Sequence, residues 1–207
     1  MKNCINLIVI LLLVTSCGTS KTKVTKNFSS KQVGMIMNGK ALEPMRVFKI
    51  NNTQDSILLR SKSAYVKPDV NDLVLKQFTD RLFATVRDSM SMGVGIAAPQ
   101  VGILKNIIWV QRFDKDEAPF EVYLNPIITN YSDIKQTRRE GCLSIPDRAE
   151  VLNSRSKSIT IEYDTMEAKH VVETITDFTA VIFQHEIDHL YGILFLDHLD
   201  KEIRDAN

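Results

Sequence analysis

The residues with the clearest chemical potential are two histidines and a glutamate within one helical turn. His185 and His189 are four residues apart, and Glu186 directly follows the first of them. In an α-helix, positions i and i+4 lie on the same face, so both imidazoles can reach one cation. A carboxylate beside such a pair can take a proton from metal-activated water, which is typical of metal-dependent hydrolases. The same spacing also arises by chance on solvated helices, so the hypothesis requires a helix and a third ligand.

The residues before this pair predict the required helix. Thr176 or Asp177 can cap its start, and Gly192 can end it. Apolar residues recur at spacings of three and four together with both histidines. They are Phe178, Val181, Ile182, His185 and His189. Because the histidines share the apolar face, we expect the metal to lie in the protein interior, where its polarising effect is strong.

Cys142 is the candidate for the third ligand. It lies in the segment Glu-Gly-Cys-Leu-Ser at residues 140–144, between a glycine and a short apolar turn. One thiolate and two imidazoles leave a fourth position open, which is typical of catalytic rather than structural metal sites. A single cysteine is more often a small buried apolar residue, so by itself Cys142 is weak evidence.

A third segment, residues 93–100, reads Gly-Val-Gly-Ile-Ala-Ala-Pro-Gln. Its small residues allow the backbone to approach a substrate closely, and Gln100 offers an amide. The segment is not a phosphate loop, and Ala98 stands where a dinucleotide-binding fingerprint has its third glycine.

Together the three segments resemble the peptide deformylase family. The family motifs G-x-G-x-A-A-x-Q, E-G-C-L-S and Q-H-E-x-D-H correspond to residues 93–100, 140–144 and 184–189, in that order and without a substitution. Looser similarity extends from about residue 57 to residue 199. Two departures lie beside the second motif, where Asp147 and the pair Arg138-Arg139 differ from the residues common in the family.

The resemblance implies a ligand set and a cofactor. Cys142, His185 and His189 would bind one divalent metal ion. Family members commonly use Fe²⁺ and also accept Zn²⁺, Ni²⁺ or Co²⁺, and affinity alone does not select iron among these ions.

The resemblance also implies catalytic and substrate-binding roles. Glu186 would act as general base and then as general acid, while Gln100 and the backbone N–H of Leu143 would stabilise the oxyanion. The substrates would be N-formylated peptides, with an apolar pocket for a methionine side chain. Candidate substrate contacts are Gly95, Ile96, Glu140, Phe178, Val181 and Ile182.

The N-terminus predicts export. Lys2, an apolar run at residues 7–14 and then Thr15-Ser16-Cys17 match a signal peptide over residues 1–16, which is too short to span a bilayer. Residues 14–17 resemble a bacterial lipobox, which implies a lipidated Cys17 and a periplasm-facing, membrane-anchored protein. An ordinary signal peptide and a wrongly chosen start codon are the alternatives.

Composition argues against nucleic acid as a partner. Removal of residues 1–16 leaves 207 − 16 = 191 residues, and it removes one of 26 basic and none of 25 acidic side chains. The mature chain therefore has no net basic excess and no basic stripe. With Cys4 removed and Cys17 lipidated, Cys142 has no cysteine partner, which favours its role as a metal ligand. We expect a monomer.

The remaining pattern predicts the domain organisation. Residues 17–32 form a Ser/Thr/Lys-rich flexible tether, and residues 33–55 form an extension, as a hairpin around Asn38-Gly39. Residues 56–203 form the catalytic domain. It begins with an amphipathic helix at 69–92 and continues with strands at 106–111, 120–124, 158–163 and 170–176. This order predicts an α+β fold in which antiparallel or mixed strands surround a central C-terminal helix that carries H-E-x-x-H.

Two other functions are compatible with parts of this pattern. A different metal-dependent amidase or peptidase could use the same histidines and glutamate, although Cys142 and Gln100 argue against it. A non-catalytic lipoprotein that binds formylated peptides could keep the fold, although it would not need Glu186 as a proton shuttle.

Overall fold

A computed structural model describes residues 27–88 and 92–206. The predicted signal peptide 1–16 and the lipidation site Cys17 lie outside the described residues, as does the tether up to residue 26. Among the described residues, no helix combines the length and the apolar character that crossing a bilayer requires.

Five α-helices, one 3₁₀ helix and seven strands make up the described ranges. In chain order they are α1 (Ser30–Met37), α2 (Thr53–Leu59), α3 (Leu73–Arg87), β1 (Gly95–Ala97), a 3₁₀ helix (Ala98–Val101), β2 (Ile107–Gln111), β3 (Phe120–Tyr131), β4 (Lys135–Cys142), β5 (Ile145–Ser156), β6 (Ser158–Asp164), β7 (His170–Thr176), α4 (Asp177–Leu190) and α5 (Phe195–Asp205).

The strands form two antiparallel sheets. The larger sheet has the order β1-β2-β3-β6-β7, and β4 pairs with β5 in a separate two-stranded sheet. The α+β fold is confirmed, and each of the four predicted strands overlaps an observed one. The strand β3 continues past the predicted end at residue 124 to Tyr131, with register shifts where it pairs with β6.

Helix α4 is the central element, as predicted. It contacts strands of both sheets and the 3₁₀ helix. Its residues Phe183 and Ile187 are buried in one apolar cluster with residues of β2, β3, β6 and β7, so the sheet covers one side of the helix. Burial of an apolar side chain of this size contributes about 2–3 kcal/mol, which fixes the helix and its histidines against the sheet.

The N-terminal extension differs from the prediction. Residues 30–37 form helix α1 rather than the first strand of a hairpin, because Ser29 and Gln32 make a reciprocal capping box and Asn38 caps the C-terminus. The predicted tether is also too long at its C-terminal end. Asn27 and Phe28 are buried, and the Asn27 amide donates to the Lys67 carbonyl. Folded structure therefore begins by residue 27.

Helix α3 begins and ends inside its predicted range of 69–92. The Asp72 side chain accepts from the N–H groups of Val74 and Leu75 and so caps the helix at Leu73. Phe78 and Leu82 are buried in an apolar cluster with residues of β1, β2 and α1.

Two elements of the fold were not predicted from the sequence pattern. The β4-β5 hairpin was not predicted, because β4 has only one buried residue and lacks an alternation of apolar and polar residues. Helix α5 was also not predicted. Its buried Phe195 joins Ile145 and Leu152 of β5 in a small apolar cluster, so α5 covers the hairpin.

Candidate metal centre and its cavity

The three predicted ligands converge. His185 and His189 lie on α4, and Cys142 is the last residue of β4, with one ligand atom from each within 4.8 Å of the others. Cys142 Sγ lies 3.2 Å from His189 Nε2. Ligands on one tetrahedral ion with ordinary metal–sulfur and metal–nitrogen bond lengths are about 3.5 Å apart, so the donor set and its spacing fit a divalent cation.

The flanking motif residues hold the β4-β5 hairpin against α4. The Gln184 side chain accepts from the N–H of Ser156 and donates to its carbonyl, both at 3.0 Å. Asp188 accepts from Arg155 Nη1 at 2.7 Å. These bonds join α4 to the end of β5, and the hairpin then brings Cys142 to the histidines.

Glu140 orients His185. One carboxylate oxygen lies 2.9 Å from His185 Nδ1, which leaves Nε2 of that ring as the metal-binding atom. Arg155 binds both oxygens, at 2.7 and 2.9 Å, and Glu140 and Arg155 are both buried. Glu140 was predicted as a substrate contact. It borders the cavity, but both its oxygens are engaged by protein groups, so its observed role is to position a ligand.

The electrostatic environment favours the metal-binding form of Cys142. Burial alone would raise the pKa of the Cys142 thiol, but the adjacent His189 and His185 lower that pKa well below its ordinary value. Burial also raises the pKa of Glu140, yet hydrogen bonds from His185 and Arg155 outweigh this effect and hold it at about 2. Cys142 is therefore present as a thiolate, and Glu140 next to His185 is an ionised carboxylate.

Glu186 is placed for proton transfer. It is 4 % exposed, and its Oε2 has no hydrogen-bond partner among the described residues. Burial raises the pKa of Glu186 to about 7, against the lowering effect of His185 and His189. A carboxylate with a pKa near neutrality can both accept and return a proton at physiological pH.

Gly95 is required by the position of Glu186. A Cβ atom at residue 95 would lie 2.6 Å from Glu186 Oε1 and 2.8 Å from a methyl group of Ile182. The backbone of β1 thus passes directly over the carboxylate, and only glycine fits there.

A cavity of about 480 Å³ opens beside the ligands Cys142 and His185. Five of the six predicted substrate contacts line it, namely Gly95, Glu140, Phe178, Val181 and Ile182. Ile96 was also predicted and does not line it. It is fully buried in the cluster that contains Phe78 and Leu82, because neighbouring strand residues point to opposite faces.

Both predicted oxyanion groups border the cavity. Gln100 is 2 % exposed, and its Nε2 lies 3.5 Å from Cys142 Sγ and 3.3 Å from Ser144 Oγ. The Gln100 Oε1 accepts from the N–H of Ala97 at 2.9 Å, which fixes the orientation of the amide. Leu143 lies in the turn that follows Cys142.

Two residues of the site, Arg155 and Lys49, were not predicted from the sequence. Arg155 connects Glu140 and Asp188, and Lys49 lines the cavity and donates to the Leu143 carbonyl. Neither belongs to a recognised motif. A weak signal existed for Arg155, since a carboxylate expected inside the protein at residue 140 needs a cationic partner.

Comparison with known sequences places these features in a family. The polypeptide deformylase family model matches residues 47–205. A peptide deformylase from Desulforudis audaxviator is 39% identical over 155 residues, which cover 74% of this chain and 94% of that protein. A peptide deformylase from Pseudothermotoga lettingae is 33% identical over 161 residues, which cover 77% of this chain and 87% of that protein.

Solved structures agree with the sequence comparison. The class I type b peptide deformylase from Acinetobacter baumannii, crystallised with bound Met-Ala-Ser, has 34% identity and a TM-score of 0.65, covering 75% of this chain and 98% of that one. The peptide deformylase from Thermotoga maritima has 30% identity and a TM-score of 0.65, covering 75% of this chain and 97% of that one.

Proposed function

Because this chain belongs to the peptide deformylase family and is an enzyme that hydrolytically removes formyl groups, we propose that formyl-methionyl peptides are its substrates and that it meets them outside the cytoplasm. One observation supports the proposed substrate above the others. Cys142, His185 and His189 converge beside a buried Glu186, and Cys142, His185 and Glu186 line a cavity of about 480 Å³.

The metal chemistry follows from the donor set. A divalent ion held by Cys142, His185 and His189 would activate water at neutral pH and polarise the formyl carbonyl. We propose Fe²⁺ as the resident ion, with Zn²⁺, Ni²⁺ or Co²⁺ able to replace it, since a thiolate and two imidazoles accept each of these ions.

The protein groups carry the remaining steps. Glu186 accepts the proton of the attacking water and delivers it to the leaving amine nitrogen, because it is buried next to His185 and burial raises its pKa to about 7. Gln100 and the Leu143 N–H stabilise the oxygen on which negative charge develops. The amine that leaves is the N-terminus of the deformylated peptide, and the second product is formate.

One wall of the cavity is suited to the N-terminal side chain of the peptide substrate. Phe178, Val181 and Ile182 offer an apolar surface from α4, and the Acinetobacter baumannii deformylase binds Met-Ala-Ser. We therefore assign this surface to the methionine side chain, with the rest of the peptide directed toward the exposed rim of Arg139 and Asp147. Charges at such a rim mainly steer the encounter of peptide and enzyme.

The test of the activity is formate release. Anaerobically prepared protein should release formate from formyl-Met-Ala-Ser and leave acetyl-Met-Ala-Ser and internally placed amide bonds intact, with metal content measured on the same sample. Glu186→Gln should retain the metal and lose turnover by at least about 10²-fold. Cleavage of internal amide bonds without formate release would instead identify another amidase, and unchanged turnover in Glu186→Gln would exclude the assigned proton transfer.

The proposed location rests on the N-terminal sequence. Lys2, the apolar run 7–14 and Cys17 support export and lipid anchoring to a bacterial membrane, and only residues 18–26 separate Cys17 from the folded residue Asn27. At about 3.5 Å per residue, even a fully extended chain of this length would keep the enzyme within roughly 35 Å of the anchor. We propose that the anchored enzyme acts as a monomer on formylated peptides at the membrane surface.

The location is tested by fractionation and mass measurement. Wild-type protein should be found with membranes and carry a lipid on an N-terminal Cys17, whereas Cys17→Ala should not be lipidated. Unlipidated wild-type protein found wholly in the cytoplasm, with residues 1–16 retained, would refute the proposed location and leave the deformylase activity untouched.

A further inference from the structure

The segment of residues 46–50 contacts both the 3₁₀ helix that carries Gln100 and the turn that follows Cys142. The N–H of Phe48 donates to the Gln100 carbonyl at 2.7 Å, and the N–H of Ile50 donates to the Ser144 carbonyl at 3.0 Å. Between them, the Lys49 ammonium donates to the Leu143 carbonyl. Three consecutive residues, at the start of the region that the family model matches, thus contact the segments that carry Gln100 and Cys142.

The Lys49 bond connects to the metal ligand through one peptide group. The Leu143 carbonyl and the Ser144 N–H belong to the same peptide, and that N–H donates to Cys142 Sγ at 3.4 Å. A cation on the carbonyl end polarises a peptide group and strengthens the bond that its N–H makes. A hydrogen bond to a ligating sulfur withdraws electron density from it and orients it, which tunes the metal.

The position of Lys49 is itself fixed by its neighbours. Its backbone N–H donates to the buried Asp55 at 3.0 Å, and Arg46 binds the same carboxylate with two bonds of 2.7 and 2.8 Å. The ring of Phe48 occupies the space beside Gly102, where a Cβ would lie only 2.4 Å from it. These contacts fix the backbone at Lys49, which limits the positions that its flexible side chain can bring the ammonium to.

From these contacts we infer that Lys49 is a positioning residue for the metal ligand Cys142, acting through the peptide group between Leu143 and Ser144. It strengthens the hydrogen bond on the sulfur and holds the turn that presents both Cys142 and the Leu143 N–H. The inference rests on the proposed metal site but not on the reaction carried out there.

The test uses Lys49→Met in the full-length protein loaded with Co²⁺. We expect about tenfold weaker metal binding in competition with a chelator, because the turn that presents Cys142 is then held less firmly, and this loss outweighs the stronger electron donation of the sulfur. We also expect the sulfur-to-cobalt charge-transfer band to move to longer wavelength, since a sulfur with a weaker hydrogen bond gives up electron density more easily. Lys49→Arg keeps a cationic donor and should restore most of both values.

The control is Lys40→Met, which removes the same charge from an exposed position nine residues earlier in the chain. It should match wild type in affinity and spectrum. Should Lys49→Met fail to fold, Lys49→Gln, which lacks the charge but keeps a donor, is measured in its place.

Several outcomes would overturn the inference. An affinity and a spectrum equal to those of Lys40→Met would do so, as would defects that Lys49→Arg leaves uncorrected. A higher KM for formyl-Met-Ala-Ser with unchanged metal affinity would mean that Lys49 contacts the peptide instead. Since chelator competition and absorbance need no turnover, a failure of the deformylase proposal would be seen separately, as absence of formate release from metal-loaded wild type.

Discussion

Replacement of Glu140 by glutamine tests whether the buried ion pair holds the metal centre together. The substitution keeps the size of the side chain and removes its charge. Arg155 then loses the carboxylate that binds it at 2.7 and 2.9 Å, and His185 loses the charged acceptor 2.9 Å from its Nδ1. Removing one partner of a buried ion pair costs about 3–5 kcal/mol, because the other charge stays buried without compensation.

The lowered pKa of Glu140 reflects the same contribution. Burial raises this pKa, but the hydrogen bonds from His185 and Arg155 hold it at about 2, and a lowering of this size from the ordinary value corresponds to about 3 kcal/mol. A carboxyl whose pKa is lowered by folding stabilises the protein above the unfolded value of about 4.3. This stabilisation is lost as the pH falls from there toward 2. The difference in stability between wild type and Glu140→Gln should therefore be full at pH 7 and shrink below about pH 4.

The assay is urea and thermal unfolding of both proteins, with and without metal, together with chelator competition. We expect Tm to fall by about 6–20 °C at pH 7 and metal affinity to fall by about 10–100-fold. The matched control is Glu150→Gln, because Glu150 lies opposite Glu140 in the same hairpin but makes only a partly exposed pair with Arg148. It should cost at most about 1 kcal/mol. A Tm and a metal affinity for Glu140→Gln equal to those of this control would refute the reasoning.

Two further substitutions test the substrate side of the site. Gly95→Ala should cost about 1–3 kcal/mol of stability and most of kcat in formate-release kinetics while metal content is retained, because the new methyl group would lie 2.6 Å from Glu186 Oε1. Gly34→Ala on α1, which meets nothing within 4 Å, is its control and should leave activity unchanged; equal effects of the two would contradict the proposed contact. Gln100→Leu should lower kcat by about 10²–10³ with little change in KM, and an effect confined to KM would assign Gln100 to substrate binding instead.

Local chemistry explains how much of the site was predictable. His185, Glu186 and His189 follow from helical spacing, and the structure has all three on α4. Of the two histidines expected on the buried face, His189 is buried and His185 is half-buried, and the burial of Glu186 was not predicted. The pocket residues Val181 and Ile182 follow from the same periodicity, one turn earlier. By contrast, Ile96 was expected to contact the substrate, and neither its motif nor its residue type reveals to which face of a strand its side chain points.

The N-terminal extension shows where sequence patterns mislead. Asn38-Gly39 is a turn signal in a hairpin and equally a stop signal after a helix, and the capping box of Ser29 and Gln32 decided for the helix. The β4-β5 hairpin was not predicted because β4, which has only one buried residue, shows no alternation of apolar and polar residues. The hairpin is stabilised by the pairing of β4 with β5 and by the packing of α5 against it.

The sequence by itself determined the ligand types, their order along the chain, the α+β class and the family, since all of these depend on residue identity and short-range spacing. Only the tertiary structure decided that Cys142 reaches histidines more than forty positions away, that Glu140 supports His185, and that Arg155 and Lys49 belong to the site. The physical reason is that these contacts cross between elements. Their geometry depends on how a hairpin, a helix and an extension pack together, and no spacing along the chain encodes that packing.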